Sequence, residues 1–223
     1  MTLPTVSIIV PAYNASSTLA EALLSLAAQR SPLDEIIVVD DGSTDDIRNI
    51  VIEFGCVYVR HESNRGVGAA LNSGLSIALG DLFAFLDSDD LRSVGSLPTQ
   101  IDALLRSSEA AIVGQVQEFV CQSLPQEVAC RFQPRPVQTG WLSGATLALR
   151  EVFDKVGPFD EALRTSTWVD WMGRAKSEGV VFAELPEVVL LRRLRPGSLS
   201  YAPTRHRDLV RVARAALERR RAI

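Results

Sequence analysis

Three carboxylates follow an apolar run in the segment Phe85-Leu86-Asp87-Ser88-Asp89-Asp90. Carboxylates this close repel one another, and a shared cation relieves the repulsion. Their oxygens are the ligands that hard ions such as Mg²⁺ and Mn²⁺ prefer, and these ions usually complete their coordination with water and substrate phosphates. The segment therefore indicates a metal site for a substrate that carries a pyrophosphate. The alternative is a solvated loop that caps the helix predicted near Ser96.

Polar residues also follow two earlier apolar runs. Pro11-Ala12-Tyr13-Asn14 comes after Val6–Val10, and Asp40 and Asp41 follow the run that begins at Glu35. If these runs are parallel strands, their carboxyl ends meet at one edge of a sheet, which is where ligands bind in open α/β folds. The three polar segments are then expected to converge on one binding site.

The elements that must position these residues alternate between strand and helix. The predicted strands are Val6–Val10, Glu35–Asp40, Val57–Arg60 and Leu82–Leu86, and the predicted helices are Ser16–Gln29, Asp46–Glu53 and Gly66–Leu79. A Thr18/Glu21 capping box is expected to begin the first helix. This alternation predicts an α/β fold, doubly wound, with a mostly parallel sheet and helices on both faces. The length of 223 residues and the 47% hydrophobic content fit a single domain.

The pattern is less regular beyond Ile112–Gln115. The stretch Phe119–Pro136 contains three prolines and is typical of a connecting or flap region. Later strands are predicted at Ala145–Leu149, Val180–Leu185 and Val188–Leu191, and later helices at Arg150–Val156, Val169–Glu178 and Arg205–Ile223. We therefore divide the domain into a first half at residues 1–116, a second half at 117–203 and a basic C-terminal helix at 204–223.

The composition excludes several classes of protein. The net charge of -4 and the charged fraction of 22% argue against a nucleic-acid partner. The three cysteines are an odd number without metal-ligand spacing, so we expect buried thiols in a reducing compartment. The sequence has neither an apolar run of about 20 residues nor a signal peptide. These features predict a cytoplasmic location.

Three segments together resemble family 2 glycosyltransferases in residue type, order and spacing. They are Ser7–Asn14, Val38–Asp45 and Phe85–Asp90. Between them, Asn64-Arg65-Gly66 and Ala78-Leu79-Gly80-Asp81 resemble the part of the family that precedes its Asp-x-Asp strand. The resemblance is strong over Val6–Leu91 and extends to about Gly179. It implies a GT-A fold and a donor that is a nucleoside-diphosphate sugar.

The resemblance also implies roles for single residues. The nucleotide-sugar-binding residues that it implies are Pro11, Ala12, Tyr13, Asp41, Arg65, Gly68, Asp87, Ser88 and Asp89. Among them, residues 11–13 would line the base pocket, and Asp41 would accept a hydrogen bond from the base. Asp89 would be the metal ligand, holding Mn²⁺ or Mg²⁺ against the donor's phosphates, with Asp87 and Ser88 near the ribose.

The second half resembles the acceptor side of the same family. Thr139–Ala145 and Val156–Glu161 match its segments, including a Gly-x-Phe-Asp-Glu turn. Relatives commonly follow this turn with a Glu-Asp pair whose Asp is the catalytic base. Trp168 stands at that position here, and Asp170 is the carboxylate available nearby. We expect Asp170 to be the base, since a base needs reach above all; alternatively, it only interacts with the dipole at a helix N-terminus.

Two basic segments complete the pattern. Relatives often place a His near the donor phosphates, and this chain has Arg195 there. One of Arg192, Arg193 and Arg195 would then stabilise the charge of the leaving diphosphate. The alternative is that these arginines only form an exposed basic loop. The segment from Arg205 carries seven arginines and has helical spacing of its apolar residues. Such a helix either packs on its own domain or provides a peripheral contact to an anionic membrane or a partner.

Together these features predict a metal-dependent, hexosyltransferase-like glycosyltransferase that inverts the donor's stereochemistry. The acceptor is open: a glycan, a lipid-linked intermediate, a peptide or a small molecule. The departures at Trp168 and Arg195 keep a non-catalytic nucleotide-sugar-binding protein as an alternative. A nicotinamide cofactor is disfavoured, because Gly66-Val67-Gly68 lacks the third glycine of a dinucleotide fingerprint. A nucleotidylyltransferase would need a Gly-rich basic loop after the first strand, where this chain has Pro11–Asn14.

Overall fold

The computed structural model describes residues 4–29, 31, 34–198 and 205–221. The strands are β1 (Val6–Ala12), β2 (Glu35–Asp40), β3 (Val57–Arg60), β4 (Leu82–Phe85), β5 (Leu91–Arg92), β6 (Ala111–Val120), β7 (Gln138–Thr139), β8 (Thr146–Leu149) and β9 (Phe182–Leu194). The helices are α1 (Leu19–Ala27), α2 (Ile47–Glu53), α3 (Val67–Ile77), α4 (Ser96–Arg106), α5 (Gln126–Ala129), α6 (Arg150–Val156), α7 (Thr167–Ser177) and α8 (Arg205–Arg221). A short 3₁₀ turn, Ser143–Ala145, precedes β8.

One mixed sheet joins both halves of the domain. Within the described residues the strand order is β3-β2-β1-β4-β8-β6-β9-β5, and β7 pairs with β6. Strands β1 to β4 are parallel, as the alternation of strands and helices predicts. Strand β8 runs antiparallel between β4 and β6, whereas β6 and β9 are parallel. The carboxyl ends of β1, β2 and β4 therefore lie at one edge, with the end of β9 close by.

The sheet buries a continuous apolar core. Strands β1, β2 and β4 are buried on both faces, which explains their uninterrupted apolar runs. An aromatic cluster extends this core below the acidic segment. Phe85 of β4 packs against Trp168, with ring centroids 5.7 Å apart, and Trp168 stacks on Trp171 at 5.0 Å. The end of β4 is thus fixed against α7.

Three local expectations are corrected by the structure. No capping box forms at α1: Thr18 donates to the carbonyl of Ala15, and Glu21 pairs with Arg193 instead. The two strands predicted on either side of Pro186 are one strand, because the β6–β9 pairing continues past a bulge. Cys121 is buried as expected, but Cys56 is only partly buried and Cys130 is exposed.

Helix α8 packs on its own domain. Asp208 is buried and accepts hydrogen bonds from the Thr165 backbone N–H at 2.7 Å and hydroxyl at 2.8 Å. Arg211 and Arg219 add ion pairs to Asp160 and Asp170. Residues 222 and 223, the end of the predicted helix, lie outside the described residues. Among the residues that are described, no helix combines the length and the apolar content that crossing a membrane requires.

Candidate functional site

The predicted polar strand ends open onto one cavity of about 330 Å³. Seven of the residues assigned from the sequence line it: Pro11, Ala12, Tyr13, Asp41, Asp87, Ser88 and Asp89. The carboxyl end of β9 and the loop before α7 line the cavity from the other side. The structure therefore brings together three segments that are far apart in the sequence.

Asp41 is held rigidly at one end of this cavity. Its Oδ1 atom accepts from the backbone N–H of Arg65 at 2.8 Å and lies 2.7 Å from His61 Nδ1. Its Oδ2 atom accepts from the Gly66 N–H at 2.7 Å. The other nitrogen of His61 lies 2.9 Å from the Ser73 hydroxyl. The carboxylate is therefore fixed by α3 and the loop before it, with Oδ2 accepting one protein hydrogen bond.

The neighbouring Asp40 stabilises the turn that carries Asp41. Burial opposes ionisation of Asp40, but hydrogen bonds from Tyr58 and Ser43 and the charge of Arg60 outweigh it and lower its pKa. Asn14 links this turn to the end of β1, since its side-chain oxygen accepts from the Thr44 N–H at 2.8 Å. These contacts place the ends of β1 and β2 at a fixed separation.

The acidic segment forms the opposite end of the cavity. Asp90 is buried, and burial together with the charges of Asp87 and Asp89 raises its pKa well above the usual range. Surrounding protein and the charge of Asp89 raise the pKa of Asp87 to about 6. The Asp87 side chain is nevertheless open to the cavity, so solvent screens part of this effect. The segment carries more negative charge than its surroundings favour.

Two arginines at the end of β9 hold the acidic segment. The Arg193 backbone donates to Asp90 at 2.8 Å, and its Nε donates to the Asp89 carbonyl at 2.7 Å. Arg195 Nε donates to Asp89 Oδ2 at 2.8 Å. Arg192 also lines the cavity and pairs with Glu118 at 2.9 Å. A strong positive field therefore faces the carboxylates.

The donor set fits a divalent ion that is held jointly with a substrate. The described residues contain no cluster of three or more His, Cys, Asp or Glu side chains placed to hold a metal by themselves. Mg²⁺ and Mn²⁺ commonly take only one or two carboxylates and complete their shell with phosphates and water. Asp89, which lines the cavity beside Asp87 and Asp90, meets that requirement, provided that it releases Arg195 or uses its second oxygen.

Two of the nucleotide-sugar-binding residues assigned from the sequence do not reach the cavity. The Arg65 side chain pairs with Glu161 at 3.1 Å, and only its backbone serves the site through Asp41. Gly68 lies under the loop before α7, where an added Cβ would lie 3.0 Å from the Asp160 carbonyl. Neither residue is in the described lining.

Asp170, the base expected from the sequence, also lies outside the described lining of this cavity. Helix α7 begins at Thr167, so Asp170 lies in its first turn and faces α8. Its two oxygens pair with Arg174 at 3.0 Å and Arg219 at 3.6 Å. Asp170 is also absent from the described lining of a second, adjoining cavity, to which its neighbours Trp168 and Val169 contribute. Asp170 therefore connects two helices.

Sequence reasoning missed some lining residues. Arg164 and Thr165 precede α7 and line the cavity, with Arg164 donating to Asn64 at 3.4 Å. They lie in an irregular loop between the Gly-x-Phe-Asp-Glu turn and α7, so neither periodicity nor a motif marks them. Only the docking of this loop against α3 brings them to the site.

The raised pKa of Asp90 predicts how the stability of the metal-free protein depends on pH. The raised pKa means that Asp90 binds a proton more readily in the folded than in the unfolded chain, whose value is near 3.8. Its contribution to stability is present below that value and is lost as the pH rises through the folded pKa. Asp90→Asn stays neutral, so it should exceed the wild type in free energy of unfolding by roughly 1–3 kcal/mol at about pH 8 and by much less at about pH 4.

Urea unfolding with a chelator present measures this difference at both pH values. The matched control is Asp154→Asn, an exposed carboxylate of α6, which should show no such pH dependence. A gap between Asp90→Asn and the wild type that is equal at the two pH values would contradict the explanation.

Comparison with known proteins identifies the family. Residues 7–150, more than half of the chain, match the sequence profile of "Glycosyl transferase family 2". The chain belongs to glycosyl transferase family 2. An uncharacterized glycosyltransferase of Rickettsia typhi is 32% identical over 177 residues, covering 72% of this chain and 55% of the relative.

A second curated relative has a named activity. The UDP-Glc:alpha-D-GlcNAc-diphosphoundecaprenol beta-1,3-glucosyltransferase of Escherichia coli is 35% identical over 115 residues, covering 50% of this chain and 46% of the relative. The chain thus spans about half the length of these curated relatives.

Solved structures confirm the fold class of this family 2 domain. TarS of S. aureus in complex with UDP-GlcNAc superposes with a TM-score of 0.78 and 22% identity, covering 96% of this chain and 66% of that one. The mannosyltransferase PcManGT of Pyrobaculum calidifontis, in complex with GDP-Man and Mn²⁺, gives 0.73 and 20%, covering 98% and 65%. The predicted single α/β domain is therefore confirmed as one that such enzymes share.

Proposed function

We propose that this chain transfers a sugar from a nucleoside-diphosphate sugar to an acceptor hydroxyl with inversion. The observation that carries the proposal is that one cavity holds Asp41 at one end and the acidic segment with its arginines at the other. A nucleoside diphosphate needs such an arrangement, because the N–H group of its base and its anionic diphosphate lie at opposite ends of the molecule.

The nucleoside end is argued from Asp41 and Tyr13. A carboxylate oxygen has two lone-pair positions, and Asp41 Oδ2 accepts from the Gly66 N–H, so it can accept one further hydrogen bond from a base N–H. Tyr13 is 48% exposed in the lining and offers an aromatic face beside Pro11. Stacking and one charge-assisted hydrogen bond would then orient the base.

The diphosphate end is argued from Asp89, Arg192 and Arg195. When bound, Mn²⁺ or Mg²⁺ on Asp89 would neutralise the charge of the leaving diphosphate. The guanidinium groups of Arg192 and Arg195 can pair with its oxygens. In the transfer, the acceptor oxygen bonds to the anomeric carbon as the bond to the diphosphate breaks, the diphosphate keeps the electron pair, and the hydroxyl proton goes to a cavity carboxylate or to solvent.

The ligands of similar proteins support this proposal. TarS was crystallised with UDP-GlcNAc, PcManGT with GDP-Man and Mn²⁺, and the E. coli relative is named for UDP-Glc. These ligands share a nucleoside diphosphate joined to a hexose. We therefore propose a hexose donor and leave the base to experiment.

A non-catalytic nucleotide-sugar-binding protein is the second candidate. The observation that favours it is the position of Asp170, whose carboxylate pairs with two arginines away from both cavities. The second cavity, which Trp168 lines, has two carboxyl groups in its described lining, Asp87 and Asp90, and both belong to the acidic segment. This candidate predicts donor binding without turnover.

Calorimetric titration of UDP, GDP and TDP, each with and without Mn²⁺, tests the proposal first. We expect metal-dependent binding of one nucleotide. The matching UDP-, GDP- or TDP-hexose is then incubated with candidate acceptors, and NMR of the product reads the anomeric configuration. An absence of binding by all three nucleotides would refute the donor site, and a retained configuration would refute inversion. Binding without any turnover would favour the second candidate.

A further inference from the structure

A second cavity of about 180 Å³ adjoins the proposed donor cavity. Five residues line both cavities, and three of them belong to the proposed diphosphate end: Asp87, Asp90 and Arg192; the other two are Val67 and Thr165. A group bound in the second cavity would therefore lie next to the diphosphate end of the donor. This position suits the molecule that receives the sugar, and the argument from here rests on the proposed function.

The walls of this cavity combine aromatic and hydroxyl side chains. Trp141 and Trp168 line it, and Leu209 of α8 closes part of it. Ser143 and Ser166 supply hydroxyl groups in the same lining. Binding sites for small neutral ligands typically have this composition, with apolar surface for shape and a few polar groups for orientation. A pyranose ring matches it, since it carries a face of C–H bonds and an edge of hydroxyls.

Trp141 is held in place before any ligand arrives. Lys176 Nζ lies 3.9 Å from the centre of its ring, and Phe182 contacts its edge with centroids 6.2 Å apart. The preceding Gly140 packs so tightly that an added Cβ would lie 2.1 Å from a Val116 methyl. The side chain is still 38% exposed. A fixed and partly exposed indole offers a binding surface at little cost in conformational entropy.

Trp168 differs from Trp171 in the use of its indole nitrogen. Trp171 Nε1 donates to the Gly157 carbonyl at 3.1 Å, which fixes its ring. Trp168 is also buried, but its Nε1 has no hydrogen-bond partner among the described residues. Buried indole N–H groups usually have a partner. Trp168 would therefore lose no protein hydrogen bond by turning slightly towards a hydroxyl of a ligand.

The charges of the cavity select against other ligands. The Asp87 carboxylate repels phosphate or carboxylate groups, and Arg192 is the basic side chain of the described lining. A neutral polyol avoids this repulsion and can donate a hydroxyl to Asp87. We infer that this cavity binds a neutral pyranose as the acceptor, with Trp141 as its stacking surface. The acceptor is then a carbohydrate or a molecule that ends in one.

Intrinsic fluorescence tests this inference directly, because the three tryptophans of the chain are Trp141, Trp168 and Trp171. The probes are the methyl β-glycosides of glucose, N-acetylglucosamine, galactose and mannose, titrated with and without the nucleotide that calorimetry identifies. We expect a saturable change with at least one glycoside. Trp141→Ala should weaken its binding at least about tenfold, read by calorimetry as well because a fluorophore is lost.

Two further variants keep the result interpretable. Trp141→Phe preserves a ring and should retain part of the affinity, and Leu79→Ala, 83% exposed and outside the described lining of both cavities, should bind like the wild type. Nucleotide affinity should be unchanged in all three variants. If nucleotide binds but no glycoside does, or if Trp141→Ala binds glycoside like the wild type, this inference is overturned and the proposed function stands. If glycoside binds but no nucleotide does, the proposed function fails and the sugar site remains.

Discussion

Replacing Asp89 by alanine should lower the rate of sugar transfer by roughly 10²–10³ or more, and should abolish the metal dependence of nucleotide binding. The reason is that Asp89 is the carboxylate proposed to hold the cation against the diphosphate. Its loss also frees Arg195, which donates to Asp89 at 2.8 Å. A released guanidinium can bind the diphosphate by itself, so we expect weak nucleotide binding that no longer responds to Mn²⁺.

Calorimetry of the nucleotide with and without Mn²⁺ measures this effect, and product formation measures the rate. Asp89→Asn keeps the volume and removes the charge, so it should behave like Asp89→Ala if charge is the cause. Asp154→Ala removes an exposed carboxylate outside the described lining and is the matched control. A variant at Asp89 that keeps metal-dependent binding would assign the cation to another group.

Gly42→Ala should lower both stability and nucleotide affinity. Gly42 has φ of +76°, and a Cβ there would lie 2.7 Å from the backbone carbon of Ser63. Strain and the clash together should lower the free energy of unfolding by about 2–4 kcal/mol. Because the displaced segment leads to the Arg65 and Gly66 N–H groups that hold Asp41, nucleotide affinity should fall at least about tenfold.

A matched glycine separates strain from clash. Gly179 has φ of +78°, but an added Cβ would meet nothing within 4 Å. Gly179→Ala therefore carries the strain alone, and should lower the free energy of unfolding by about 1–2 kcal/mol without changing nucleotide binding. Urea unfolding and calorimetry of both variants give the comparison. Equal losses of stability would show that the contact with residues 63 and 64 is unimportant.

The first half of the molecule could be predicted from the sequence because its structure is encoded locally. Each strand is a short apolar run followed by its own polar residues, and parallel pairing brings those residues to one edge whatever the details of packing. Asp41 and Asp89 lie on the cavity for this reason. Arg65 and Gly68 could not be placed in the same way, since the orientation of a loop side chain depends on contacts with the second half, here Glu161 and Asp160.

The second half depends on contacts between distant parts of the chain. Asp170 was expected at the site because of its position in the sequence, but the start of α7 at Thr167 turns it towards Arg219 of α8, about fifty residues further on. The break predicted near Pro186 is a bulge, which is visible only when β9 is paired with β6. The hydrophobic pattern of a short stretch of sequence predicts neither the orientation of Asp170 nor the bulge in β9.

The contacts of Arg193 have a consequence for how the chain can be divided. This one residue of β9 donates to the backbone carbonyl of Asp89 and to the carboxylate of Asp90, and its Nη2 atom pairs with Glu21 of α1 at 2.6 Å. The acidic segment, where we propose that the diphosphate binds, is therefore shaped by a strand that lies about a hundred residues later. A fragment that ends near residue 116 would retain the acidic motif but lose the strand that holds it in place.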